Sequence, residues 1–271
     1  MSYSESPEDD QAAGLRRMFR QTPPEVLAVV PCGAGATPWV ARQLHARIRA
    51  GLRLLALDEW AAFGNLADCL GLAPRFDLLQ GVEGFVAVEQ CRVQTIAGLS
   101  LMAVSRLSRA LSQDQAIRQD TIERLRPLQS ETDEWLIHAR PCDIAGLSPL
   151  ALAAPRLLLA VDPYSKAVTE AYTTLKRLRL GADTSSVGLA MTGPATIETR
   201  ALSANLQSVA RRQLGFVLLP VSSLGEAMAM PAAVDENAMC DTAQQTSAGF
   251  EERLLSMARH QARTARARSG L

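Results

Sequence analysis

Charge imbalance, paired cysteine motifs and long apolar runs are all missing from this sequence, and each absence removes a class of function. Lysine plus arginine equals aspartate plus glutamate at 28 each, so no global field steers the chain toward nucleic acid or an anionic surface. Any such contact must be local. Five cysteines (Cys32, Cys69, Cys91, Cys142 and Cys240) are scattered without C-x-x-C spacing, which reads as buried thiols of a reducing compartment, with no metal site. His45 and His260 have no ligand spacing either. The longest apolar runs, such as that between Arg156 and Asp162, fall far short of the roughly 20 residues a bilayer requires. The opening residues Met1 to Asp10 are acidic where an export signal is basic and then apolar, so a cytoplasmic protein is expected.

What is present is a globular composition: 271 residues, 48% hydrophobic, 21% charged and only 4% aromatic. That length suits one large α/β domain. Short β-rich runs recur at Val26 to Pro31, Leu52 to Glu59, Leu99 to Ser105, Trp135 to Arg140, Leu157 to Asp162, Val187 to Thr192 and Phe216 to Ser222. Their continuous apolar character is that of parallel strands covered on both faces. Helical spacing fills the intervals, at Ala41 to Ala50, Ala116 to Leu128, Ser165 to Leu180 and Ile197 to Leu214. The alternation predicts a doubly wound, mostly parallel sheet of about seven strands with helices on both faces. Three parts are expected: an N-terminal helix over 1–22, an α/β domain over 23–230, and a linker with a C-terminal basic amphipathic helix over 231–271.

In such a sheet the first strand-to-helix turn is the usual phosphate cradle. Here it reads Pro31-Cys-Gly-Ala-Gly-Ala-Thr-Pro-Trp39. Gly33, Gly35 and Ala36 let backbone N–H groups approach an anion, and Thr37 offers a hydroxyl. A phosphate loop also needs a lysine for the β/γ-phosphates, yet no basic residue lies between Val26 and Arg42.

After the second strand comes Asp58-Glu-Trp-Ala-Ala-Phe-Gly-Asn65, running on to Gly71-Leu-Ala-Pro-Arg-Phe-Asp-Leu78. This segment resembles the D-A-D-x-G-x-A-N-x-D-x-x-L-G-L-x-P-x-Y-D-L stretch of MinD-like ATPases, with Asp58, Asn65, Gly71, Leu72, Pro74, Asp77 and Leu78 matching. The family's second aspartate, which acts near the attacking water, falls on Trp60. Its K-G-G-x-G-K-T loop falls on the first turn, where the two lysines become Pro31 and Ala36, or Cys32 and Thr37 in the neighbouring register. The aspartate of its I-D-T/P element becomes His138. The resemblance extends from about Asp10 to Ser222 and implies a P-loop NTPase fold whose nucleotide site (Gly33, Gly35, Ala36, Thr37, Asp58, Trp60, His138) is degenerate. No cofactor is then expected, and Trp60 is expected to fill the vacated pocket.

Ahead of the first strand, Ser6-Pro-Glu-Asp starts a helix well: a capping serine, a proline at the first position, and carboxylates at the positive dipole end. Leu15, Met18 and Phe19 fall on one face. Asp10-Gln-Ala-Ala-Gly-Leu-Arg16 is similar to the D-Q-A-x-x-L-R activator motif of the FlhG (FleN/YlxH) branch of MinD-like proteins. That resemblance implies a helix that binds the signal-recognition-type GTPase FlhF and stimulates its GTP hydrolysis. Asp10, Gln11, Ala12, Leu15, Arg16 and Phe19 would make the contact, Gln11 acting at the GTPase site. The family implies flagellar switch or C-ring proteins as further partners, and a cell-pole or membrane-peripheral place. The tail from Phe250 to Arg268 has apolar residues at i, i+4 and i+7 and then turns arginine-rich, so it reads either as a weak membrane contact or as a helix docked on the core. Two alternatives stay open: a divergent ATPase that still binds ATP and dimerises, and a ParA-like polar-localisation or polysaccharide accessory protein.

Overall fold

The structure is a computed structural model that describes residues 23–95, 98–141, 146–179, 186–232 and 249–255. The N-terminal helix expected over 1–22 and the arginine-rich end of the tail lie outside the described residues.

Among the described residues eight strands form one sheet: β1 (Glu25–Cys32), β2 (Leu54–Asp58), β3 (Arg92–Gln94), β4 (Leu99–Ala103), β5 (Glu134–His138), β6 (Arg156–Val161), β7 (Ser186–Met191) and β8 (Val217–Pro220). Their order is β3-β4-β2-β5-β1-β6-β7-β8. Every pairing is parallel except β3 with β4. Seven strands coincide with the seven apolar runs. The eighth, β3, is three residues long and only partly buried, so its Arg-Val-Gln sequence carries no apolar signal.

The apolar runs are continuous because alternate residues feed two different cores. On β1, Val26, Ala28, Val30 and Cys32 face one, and Leu27 and Val29 face the other. On β5, Trp135 and Ile137 go one way and Leu136 the other. One face is covered by α1 (Ala36–Arg49), α2 (Leu66–Cys69) and α9 (Leu224–Met228) through residues such as Trp39, Leu44, Leu66 and Leu224. The other is covered by α3 (Leu78–Val82), α4 (Ser105–Ala110), α5 (Gln115–Gln129), α6 (Pro149–Ala153), α7 (Ser165–Arg179) and α8 (Ile197–Val209). The helix expected from Ile197 to Leu214 is α-helical only to Val209 and finishes as a π-helical turn, Ala210–Leu214.

Several residues shared with the MinD-like stretch set local geometry. The Asn65 side chain accepts from the Asp68 N–H and caps α2. Asp77 caps α3 and donates its own N–H in return to the Gln80 side-chain oxygen, and its carboxylate also accepts from the Ser105 hydroxyl and from the Arg106 and Leu107 N–H groups. One carboxylate thus ties two helix N-termini together at the end of β4, where both have orphan donors.

The tail returns as a helical stretch over 249–255. Phe250 and Leu254 are buried in the core, Phe250 lying edge-on to Trp135 with ring centroids 6.0 Å apart. Glu251 accepts from Arg126 and Gln129 of α5. These two apolar residues are therefore spent on the chain's own core. Among the described residues no helix is long and apolar enough to cross a membrane.

Candidate functional site: a phosphate-type turn filled from within

The site lies at the carboxyl ends of β1, β2, β5 and β6, where open α/β sheets place their ligands. β1 ends at Cys32, and the chain reverses through Gly33 at φ +93°, a backbone conformation that costs glycine little and other residues strain. A Cβ added at Gly33 would lie 2.7 Å from an Asp162 carboxylate oxygen, and one at Gly35 would lie 2.8 Å from the other. Both glycines are thus required by the close approach of a side chain. α1 then begins with Gly35 as a cap that offers no side-chain bond and with no acidic residue in its first turn. Its orphan N–H groups need an anion from elsewhere.

Two carboxylates supply it. The Gly35 N–H donates to Asp162 at 2.6 Å, and the Gly33 N–H donates to Glu170 at 3.1 Å. Asp162 follows β6 directly and is held there by its own N–H to the Cys32 carbonyl, at 3.0 Å, while the Thr192 hydroxyl donates to its other oxygen. Glu170 reaches in from the second turn of α7. The negative charge is felt by Cys32, whose thiol is pushed up to about 12 by burial first and by Glu170 and Asp162 after it.

On the other side of the turn stands a three-membered relay. Asp58 and His138 are register partners at the ends of β2 and β5, and both are buried. His138 Nδ1 lies 2.8 Å from an Asp58 oxygen and Nε2 lies 3.2 Å from the Thr37 hydroxyl. A carboxylate can only accept, so Nδ1 carries a proton toward Asp58, and Nε2 is left for Thr37. The Asp58 carboxylate also accepts the Trp60 and Ala67 N–H groups, at 3.1 Å each. Trp60 lies across this relay with its ring centroid 6.2 Å from that of His138, and its indole N–H donates to the Ala139 carbonyl at 3.1 Å.

The turn residues Gly33, Gly35, Ala36 and Thr37 therefore meet Asp58, Trp60 and His138 in one cluster. Sequence reasoning missed Asp162 and Glu170, although Asp162 closes the apolar run of β6 on the ligand edge. It also missed Glu59, a buried carboxyl that accepts the Ser108 hydroxyl at 2.9 Å, the Arg140 N–H at 2.9 Å and the Ser148 hydroxyl. Burial raises the Glu59 carboxyl above its ordinary value, the hydrogen bonds from Ser148, Arg140 and Ser108 oppose that rise, and Asp58 adds to it. The activating residues Asp10, Gln11, Ala12, Leu15, Arg16 and Phe19 lie outside the described residues.

A magnesium triphosphate needs free N–H groups in the turn, a hydroxyl for the metal and positive charge for the terminal phosphates. In this arrangement the Gly33 and Gly35 N–H groups are bonded to carboxylates, the Thr37 hydroxyl is bonded to an imidazole, and two negative side chains stand where the anion would go. The residues present do not fit that ligand. Among the described residues no group of three or more histidine, cysteine, aspartate or glutamate side chains is placed to hold a metal ion.

The chain has the α/β fold of the MinD and ParA type of P-loop ATPase. Comparison with solved structures carries this assignment. The cell-division protein MinD of Aquifex aeolicus is similar with a TM-score of 0.52 and 20% identity, over 85% of this chain and 96% of that one. A cobyrinic acid a,c-diamide synthase from Mycobacterium smegmatis, solved with an ATP analogue and magnesium, gives 0.51 and 18% over 88% and 95%. The ATP complex of Cyanothece McdA gives 0.50 and 19% over 85% and 97%. At these identities the likeness shows the fold. No family model matches the chain, and no curated protein sequence does.

Proposed function

We propose that the chain is a flagellar-assembly regulator of the FlhG kind, which binds the GTPase FlhF and stimulates its GTP hydrolysis through an N-terminal helix carried on a MinD-like scaffold that no longer hydrolyses ATP. The observation that carries the proposal is the stretch Asp10-Gln-Ala-Ala-Gly-Leu-Arg16 standing just ahead of a MinD-type fold. A glutamine delivered to a GTPase site can order the attacking water and stabilise developing charge. Gln11 takes that role, Arg16 supports it, Asp10 and Ala12 complete the contact, and Leu15 and Phe19 anchor the helix. The scaffold's silence follows from charge. Phosphoryl transfer depends on positive groups around the transferred phosphate, and the turn offers carboxylates instead.

The test is FlhF GTP turnover with the intact protein, with Gln11→Ala and with residues 1–20 removed. Stimulation by the intact protein alone is expected, and equal turnover in all three would end the proposal. A second reading, a divergent ATPase that binds ATP and dimerises, is favoured by the ATP found with one structural neighbour and the ATP analogue and magnesium found with another. Calorimetry with Mg-ATP separates the two, since tight binding accompanied by hydrolysis is expected only of the second.

A further inference from the structure

The turn after β1 does not simply lack its ligand's partners; its donors are in use. An anion-binding turn at a helix N-terminus is stable when its N–H groups are matched by negative charge and costly when they are orphaned. Asp162 and Glu170 provide two tethered carboxylates on two of these donors. The hydroxyl and carboxylate that would hold a metal beside such a turn are already joined by His138 through its two ring nitrogens, to Thr37 and to Asp58. Asp162 is fixed at both oxygens, by Gly35 and by Thr192, and the glycines leave no room for a side chain between turn and carboxylate.

We infer that the chain carries its own ligand: the Asp162 and Glu170 carboxylates stand in the place of phosphate and the His138 imidazole in the place of the metal. The turn is then held in its bound form with no nucleotide. This deepens the lost-ATPase half of the function proposed above and is independent of its FlhF half. Its consequence is that the strand ends of β1, β2, β5 and β6 are clamped together permanently, so nothing presented by the scaffold depends on an ATP cycle. Asp162 and Glu170 are the residues that set this selectivity, because a free phosphate would have to displace two charges that are already attached.

The full-length protein labelled with ¹⁵N at glycine reads this directly through the Gly33 and Gly35 amides. With the wild-type chain, adding Mg-ATP or inorganic pyrophosphate is expected to leave both signals in place. In the double variant Asp162→Ala, Glu170→Ala both signals move, and their amide protons exchange with solvent at least about tenfold faster, as expected for a lost charge-assisted bond. Glu170 is exposed, so Glu170→Ala leaves folding intact and provides a second reading, in which the Gly33 signal moves and the Gly35 signal stays. Wild-type Gly33 and Gly35 signals that shift with Mg-ATP, or variant signals that match the wild type, would overturn the inference. FlhF turnover takes no part in this measurement, so its failure leaves the result standing.

Discussion

Replacing Glu59 by alanine takes the acceptor from three donors at once, two of them buried hydroxyls. Its carboxylate accepts the hydroxyls of Ser108 and Ser148 and the N–H of Arg140, and Glu59, Ser108 and Ser148 are all buried. A buried donor left without a partner costs about 1–3 kcal/mol. The two hydroxyls can rotate toward other acceptors while the Arg140 N–H cannot, so Glu59→Ala should lose about 1–3 kcal/mol, a sizeable share of the roughly 5–15 kcal/mol that holds a domain folded. Urea denaturation followed by tryptophan fluorescence measures this, and a loss below about 1 kcal/mol would refute the bonding assignment. The same residue sets a pH dependence. Burial raises the folded carboxyl above its ordinary value of 4.5, so the fold binds the Glu59 proton more tightly than the unfolded chain does. The resulting stability is complete below that ordinary value and is lost as pH climbs through the raised folded one. Glu59→Gln carries no such proton. The wild-type midpoint should therefore fall relative to that of Glu59→Gln as pH rises from mildly acidic to alkaline, and a constant difference would contradict the cause given for the shift.

Three further outcomes are expected. Phe250→Ala removes a ring that is 2% exposed and packed edge-on against Trp135, which should cost about 3–5 kcal/mol and shift the tryptophan emission to the red; an unchanged spectrum would mean that the 249–255 helix is not seated on the core. His138→Ala takes the middle out of the Thr37–His138–Asp58 relay and should lower stability by about 2–4 kcal/mol, read as a fall in Tm, whereas Thr37→Val breaks one end only and should cost about 1 kcal/mol. Cys32, buried and with its thiol pushed up to about 12, should resist alkylation by iodoacetamide at pH 8 in the folded protein and react once it is denatured; rapid labelling of the native chain at this position would contradict its placement.

Much of the fold was legible because a strand covered on both faces is apolar along most of its length, and seven of the eight described strands carry such a run. The same logic explains the miss. β3 is an antiparallel edge of three residues whose Arg92 and Gln94 are polar, and a pairing of that length leaves no periodicity to find. The short helices α2, α3, α4, α6 and α9 were not anticipated, since four to six residues cannot display an amphipathic repeat. At the site, Gly33, Gly35, Thr37, Asp58, Trp60 and His138 were recognisable from their places in contiguous motifs. Asp162 and Glu170 were not, because each sits more than 120 residues from the turn it serves and nothing local marks a carboxylate as the partner of a distant N–H. Glu59 was hidden for a similar reason. Its partners come from two other segments, and a glutamate beside the matched Asp58 reads by itself as an ordinary surface acid.

One assay addresses both the proposed activating helix and the proposed filling of the nucleotide site by the chain's own side chains. FlhF GTP turnover is measured with the full-length chain, with and without Mg-ATP, beside the Gln11→Ala variant. The same stimulation is expected in both conditions, with its loss in the variant. Stimulation that appears only with Mg-ATP, or no stimulation by the intact chain in either condition, would contradict the proposal.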